Sequence, residues 1–280
     1  MVKQFRSMTY PYVAWISVMI VLPMLLIVLY AFTVSGNEVL TFQFTFDNFK
    51  RFVTDTVFME VLGRSLYIAV LTTLICIALG YPIAYAIAQM NSRSNTIMIL
   101  LITMPTWVNM LVRTYAWMGI LQDEGILNTI LGFFGIGPVS IIHTSFAVIL
   151  GMVYNYLPYM ILPLYTVIMK IDNRLVEAAL DLGCRPSQVF SRVILPLSGP
   201  GILSGLTMVF VPAVSTFYIS QKLGSTGTTL IGDVIESQFK TAYNPNLGAA
   251  MSLVLMILIF ICVAVMNRFG EGDGEEVIKV

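Results

Sequence analysis

Residues Arg174–Pro196 read RLVEAALDLGCRPSQVFSRVILP, a polar stretch between two membrane-length apolar runs near the middle of the chain. It holds Glu177-Ala178-Ala179, Gly183 six residues after the glutamate, and a closing Ile194-Leu195-Pro196. Pro186 suits the first turn of a helix, where its missing N–H costs nothing. Gly183 suits the position just past a helix end, where φ is positive. The stretch is therefore predicted to run helix, glycine turn, helix. Glu177 and Asp181 are four residues apart and share a helix face, with Arg174 and Arg185 flanking them. Val176, Ala179 and Leu180 form the predicted apolar stripe. A short amphipathic helix with a charged rim suits insertion into a groove on another protein.

Outward from this stretch the chain turns apolar. Of its 280 residues, 58% are hydrophobic and 11% charged, with a mean hydropathy of +0.86. A soluble domain carries about 25% charged residues, so most of this chain belongs in lipid. Lys+Arg and Asp+Glu both number 15, which leaves no polybasic surface for nucleic acid. A bilayer span needs about 20 mostly apolar residues. Six runs qualify: 12–34, 62–89, 97–120, 142–169, 198–219 and 247–267. Lys3 and Arg6 precede the first run, which exceeds the roughly 7–15 apolar residues of a signal peptide, so it reads as a retained span. Short interfacial helices are expected at 126–134 and around 230–240, and a disordered acidic tail from Glu271.

Basic residues orient the spans. With the N-terminus inside, Lys3, Arg6, Arg93, Lys170, Arg174, Arg185, Arg192, Arg268 and Lys279 are cytoplasmic, against Lys50, Arg51, Arg64, Lys222 and Lys240 outside. The expected fold is all-α, six transmembrane helices in one domain, both termini cytoplasmic, with loop 170–197 in the cytoplasm. No G-x-x-x-x-G-K-[ST] run occurs, so the chain has no P-loop to cradle nucleotide phosphates. No Ser, Cys or acid forms a catalytic motif with His143, the single histidine, which reads as interfacial. The three cysteines show no metal-site or disulfide spacing.

The E-A-A, Gly and I-L-P pattern resembles the coupling loop of type I ABC importer permeases. The similarity extends to TFDNFKRF, LGYPIAYAIA, MPTWVNMLVRTYAWMGIL and VPAVSTFYIS, and within the family it runs to the first permease subunit of spermidine/putrescine importers. The resemblance implies a multi-pass protein of the bacterial inner membrane and a second, homologous permease subunit. It implies an ABC ATPase dimer that binds the ATP and Mg, no cofactor in this chain, and an extracellular or periplasmic substrate-binding protein. Carried over by position, Glu177, Ala178, Ala179 and Gly183 belong to the ATPase-docking motif, and Asp181 shares the face of Glu177. The same fold could instead import thiamine, a metal ion, an oxyanion or a sugar.

Polar groups at membrane depth are candidates for function. Trp107, Asn109, Arg113, Tyr115 and Trp117 lie in the third span, Tyr154 and Asn155 in the fourth, Tyr218 in the fifth. Aromatic faces attract ammonium groups, worth about 0.5–2 kcal/mol each. No Asp or Glu falls inside the six spans; Asp123, Glu124, Asp233 and Glu236 lie outside. Against these roles, Trp and Tyr favour bilayer interfaces in any case, and Arg113 could snorkel outward. Arg113 is the feature that favours an anionic cargo. Gly201 and Gly205 are spaced for close helix packing.

Overall fold

A backbone in lipid must satisfy its N–H and C=O groups within its own segment, which helices do. The computed structural model describes residues 10–34 and 43–274, and among them every regular element is helical apart from one bridge, Thr33 to Phe44. The helices are α1 (Tyr10–Ala31), α2 (Asp47–Thr54), α3 (Thr56–Ala88), α4 (Ser92–Trp107), α5 (Met110–Leu121), α6 (Ile126–Phe133) and α7 (Ser145–Ile168). After them come α8 (Asn173–Asp181), α9 (Pro186–Leu197), α10 (Gly199–Ser215), α11 (Tyr218–Leu223), α12 (Ile231–Lys240) and α13 (Pro245–Gly274). Four of these, α1, α3, α7 and α13, are long and apolar enough to cross a bilayer alone. Two bent pairs raise the number to six if each pair is one span: α4 with Met110–Phe133 at 92°, and α9 with α10 at 65°.

The bends correct the continuous spans expected over 97–120 and 198–219. The third run breaks at Val108–Asn109, because Asn109 turns extended and its Oδ1 accepts the Leu111 N–H at 2.8 Å. A side chain that captures the backbone in this way starts a new helix rather than continuing the old one. Asn109 thus heads α5 instead of sitting mid-span. The fifth run ends at Ser215, and Thr216 is extended, so Tyr218 opens a separate helix, α11. The short helices appear where expected, as α6 and α12. Helix α3 starts at Thr56, ahead of residue 62, and α13 runs to Gly274, so residues 271–274 are helical rather than disordered. The rest of the tail, like Lys3 and Arg6, lies outside the described residues.

The chain divides into two units. One comprises Met1–Glu60 and Val234–Ile259. Here the end of α1 leaves carbonyls without intrahelical partners. Asn246 Nδ2 donates to Tyr30 O and Thr33 O, both at 3.0 Å, and Asn48 Nδ2 donates to Ala31 O at 3.1 Å. Ala31, Ala249 and Ala250 pack beside these bonds. The apolar window of α1 has no buried residue, a surface that suits lipid rather than water.

The other unit comprises Val61–Asp233 and Phe260–Val280. Its centre is α7, which packs α3 on one side and α10 on another through small residues. A Cβ on Gly80 would stand 3.0 Å from Met160, one on Gly205 2.6 Å from Met160 Sδ, and one on Gly201 3.1 Å from Pro163 O. In lipid such close approach, with its dispersion contacts, replaces hydrophobic expulsion as the packing force. The expected role of Gly201 and Gly205 is therefore what the helices show. His143 joins the same unit together: its N–H donates to Leu223 O at 2.9 Å and its Nδ1 meets Gly224 O at 2.9 Å.

Gly232 sits against the broken end of α10. A Cβ there would lie 2.6 Å from Thr216 O and 2.8 Å from Ser215 O, both backbone atoms that cannot rotate away. Gly232→Ala is expected to cost about 1–3 kcal/mol, the usual penalty for overpacking. Gly137→Ala, where nothing lies within 4 Å, is the control. Thermal unfolding of the detergent-solubilised protein reads the difference, and equal melting temperatures for the two variants would refute the packing account.

Candidate functional site

Helix α8 starts where Asp172 Oδ1 accepts the Arg174 N–H at 3.0 Å. It ends in two reverse bonds: Cys184 N–H to Ala179 O at 3.1 Å and Gly183 N–H to Leu180 O at 2.9 Å. Gly183 adopts φ of 83°, the left-handed value that this terminating motif requires. Arg185 N–H then donates to Gln188 Oε1 at 2.8 Å, and Pro186 takes the first position of α9. The helix, glycine turn, helix order read from the sequence is thus present.

The apolar stripe is shifted from its expected place. Val176 and Ala179 are half-buried, whereas Leu175, Ala178 and Leu182 are exposed, Leu182 at 85%. Leu180 is exposed as well. Glu177, Asp181 and Gly183 are also exposed. The free face therefore joins apolar Leu175, Ala178 and Leu182 to acidic Glu177 and Asp181. Behind it the loop is anchored to α3. The Phe190 ring meets Tyr81 and Tyr85 edge-on, each at 5.4 Å between centroids. Tyr81 Oη and Ser198 Oγ share a hydrogen bond of 2.7 Å at the joint between α9 and α10. Edge-to-face rings add about 0.5–1.5 kcal/mol beyond area burial.

A second group of side chains gathers where α5, α7 and α11 meet. Tyr115 and Tyr218 lie edge to face at 6.3 Å, and Trp117 and Tyr154 at 5.3 Å. Asn155 is only 2% exposed. Its Nδ2 donates to Gly151 O at 2.7 Å, while its Oδ1 is buried without a partner among the described residues. Arg113 does not snorkel with these atoms: Nε and Nη1 are buried and likewise unpartnered. Tyr156, on α7, donates its hydroxyl to Pro212 O at 3.4 Å near the end of α10. The fold thus brings Arg113, Tyr115, Trp117, Tyr154, Asn155 and Tyr218 to one helix junction. Trp107, 74% exposed, and Asn109 stand apart at the break between α4 and α5.

Two residues of this region escaped the sequence reading. Lys222 places its Nζ over Tyr115 and Tyr218, at 5.4 and 5.9 Å from the ring centroids. Its spacing of four from Tyr218 on one helix was a signal available in the sequence. Tyr156 gave none, because only packing brings it to the end of α10. Asp233, expected outside the spans, is buried in the fold, 8% exposed. Its carboxylate accepts from Ser220 Oγ at 2.9 Å and Leu230 N–H at 2.8 Å. Glu236 pairs with Lys240, and Asp123 and Glu124 remain exposed. Among the described residues, no group of three or more His, Cys, Asp or Glu could hold a metal.

Helices long and apolar enough to cross a bilayer, an anchored helix–turn–helix and a polar helix junction together suit an integral membrane protein. The chain belongs to the family of binding-protein-dependent transport system inner membrane components, which matches residues 3–271. It is a type I ABC importer permease and a multi-pass protein of the inner membrane. Among its relatives is the spermidine/putrescine transport system permease protein PotB of Haemophilus influenzae, 37% identical over 95% of this chain and 94% of the relative. The PotB protein of Escherichia coli K12 is 38% identical over 91% and 94%. Among solved structures, a bacterial ABC transporter involved in import of the acidic polysaccharide alginate superposes with a TM-score of 0.81. The match covers 96% of this chain and 95% of that one at 16% identity, so it speaks for the fold.

The buried Asp233 carboxylate uses one oxygen on a hydroxyl and the other on a backbone N–H. In Asp233→Asn an amide NH2 must face one of these donors, which should cost about 1–3 kcal/mol. A fall in melting temperature of the solubilised protein is expected, and an unchanged value would show that the carboxylate is dispensable there.

Proposed function

We propose that this chain is one permease half of an ATP-driven importer of spermidine and putrescine. Six spans place both termini and loop 170–197 in the cytoplasm. Glu177, Ala178, Ala179, Asp181 and Gly183 dock on an ABC ATPase dimer, which binds ATP and Mg. A second, homologous permease completes the path, and an external binding protein delivers the polyamine. Closure of the ATPase dimer moves α8 and α9 as one lever. Phe190 passes the movement to α3 and Ser198 to α10, and the spans alternate between outward and inward access.

The observation that carries the coupling reading is α8 itself. It is an amphipathic helix with no fully buried residue, yet its joint is fixed by a complete terminating motif and an aromatic anchor. A rigid strut with a free apolar face needs a receiving groove. Support for the cargo comes from the identity with the two PotB proteins and from the aromatic faces at the α5–α7–α11 junction. An oxyanion cargo is the second reading, favoured by the two unpartnered nitrogens of Arg113.

Burying a leucine is worth about 1.5–3 kcal/mol, or roughly ten- to a hundredfold in affinity. Leu182→Asp and Glu177→Lys should each leave membrane insertion intact while removing ATPase co-purification and putrescine uptake. Phe190→Ala should keep the ATPase bound but lower uptake about tenfold, the effect of a loosened lever worth about 1.4 kcal/mol. Survival of both ATPase association and uptake in the first two variants would end the coupling reading. Uptake of labelled sulfate in place of putrescine by the intact transporter would replace the polyamine reading with the oxyanion one.

A further inference from the structure

The Lys222 ammonium lies over both rings of the Tyr115–Tyr218 pair, at 5.4 and 5.9 Å. These distances are within the reach of about 6 Å at which an aromatic face attracts a cation. The rings come from different elements, Tyr115 from α5 and Tyr218 from α11, and stand 79° apart. Tyr218 and Lys222 are one turn apart on α11, so the lysine folds back along its own helix onto a cradle that α5 completes. Tyr115 is 47% exposed, which leaves the cradle open on one side. The group held there is a primary ammonium on a four-carbon stem. Putrescine carries the same group at each end of a four-carbon chain, and spermidine ends in primary ammoniums too.

We infer that Tyr115 and Tyr218 form a subsite for a primary alkylammonium group of the substrate, and that Lys222 is its tethered occupant, displaced when a polyamine arrives. The inference rests on the polyamine reading above. Two cations cannot share the cradle, since they repel and compete for the same ring faces. Lys222 therefore lowers the fraction of transporters with a vacant subsite, and the apparent substrate affinity falls by that fraction. The arrangement suits a permease. A substrate ammonium is accepted only in exchange for an internal one, so the rings are never left vacant, and the returning lysine helps release the cargo onward. The contact is also weak, which matches a path that must bind and let go.

The test is uptake of labelled putrescine by the complete transporter in proteoliposomes, read as KM and kcat separately so that changes in protein amount do not matter. Lys222→Met should lower KM about three- to tenfold, the size of one cation–π contact. Lys222→Arg, which keeps the charge and stacks more firmly on aromatic faces, should raise KM or leave it unchanged. Loss of simple charge repulsion would also lower KM in Lys222→Met. The two explanations separate when Tyr115→Leu and Tyr218→Leu are added to Lys222→Met. The subsite predicts that the gain vanishes, whereas repulsion alone predicts that it persists. Tyr115→Phe with Tyr218→Phe in the Lys222→Met background should retain the gain, because the ring faces remain. An unchanged or higher KM in Lys222→Met, or a gain that survives removal of both rings, overturns the subsite while leaving polyamine transport standing. If the unmodified transporter takes up no putrescine or spermidine, the polyamine reading falls and the subsite with it.

Discussion

A chain in hydrocarbon cannot leave a peptide group unpaired without a cost of several kcal/mol. Each place where this chain abandons helical geometry is therefore a place where something else must satisfy the backbone. Asn109 does so with its own side chain at the α4–α5 break. At the α9–α10 bend, Ser198 returns a bond to Leu195 O at 2.8 Å and holds Tyr81. At the end of α10, Tyr156 reaches Pro212 O, and Gly232 comes close to the last carbonyls. The breaks are thus supported structures, and several of the candidate site residues lie beside them.

The Gly183 turn and the Ser198 bend link α8 to the longer helices. The Gly183 turn fixes α8 against α9, and the Ser198 bend fixes α9 against α10. Phe190 lies between them on the rings of Tyr81 and Tyr85. Through these contacts α8 and α9 are tied to α3 and α10. Further along, α10 and α3 both press on α7 at Met160 through Gly205 and Gly80. The Met160 side chain fills the space that a larger residue at Gly80 or Gly205 would need, the close packing expected of protein interiors.

The α5–α7–α11 junction carries a different balance. It gathers rings, amides and an arginine, and the nearby Asp233 carboxylate is engaged by Ser220 and Leu230. Aromatic faces attract a cation more weakly, and with less desolvation, than a buried ion pair does.

Much of this protein was open to reading from residue order alone. Length and apolarity located the four helices long and apolar enough to cross a bilayer alone, because lipid demands about 20 apolar residues per crossing. Local rules placed Gly183 and Pro186 at the loop turn, because terminating bonds and proline geometry depend on neighbours in sequence. Residue order did not reveal that Asn109 would break the third run, since Asn at a helix start and Asn inside a helix look alike until the backbone chooses. Nor could it show that Leu175 and Leu182 face outward while Val176 turns in, because the anchor at Phe190 sets the roll of α8. The partnership of Lys222 with Tyr115, the burial of Asp233 and the inward turn of Arg113 were decided by packing between distant segments. Those contacts depend on how helices approach one another in three dimensions, a matter on which spacing along the chain is silent.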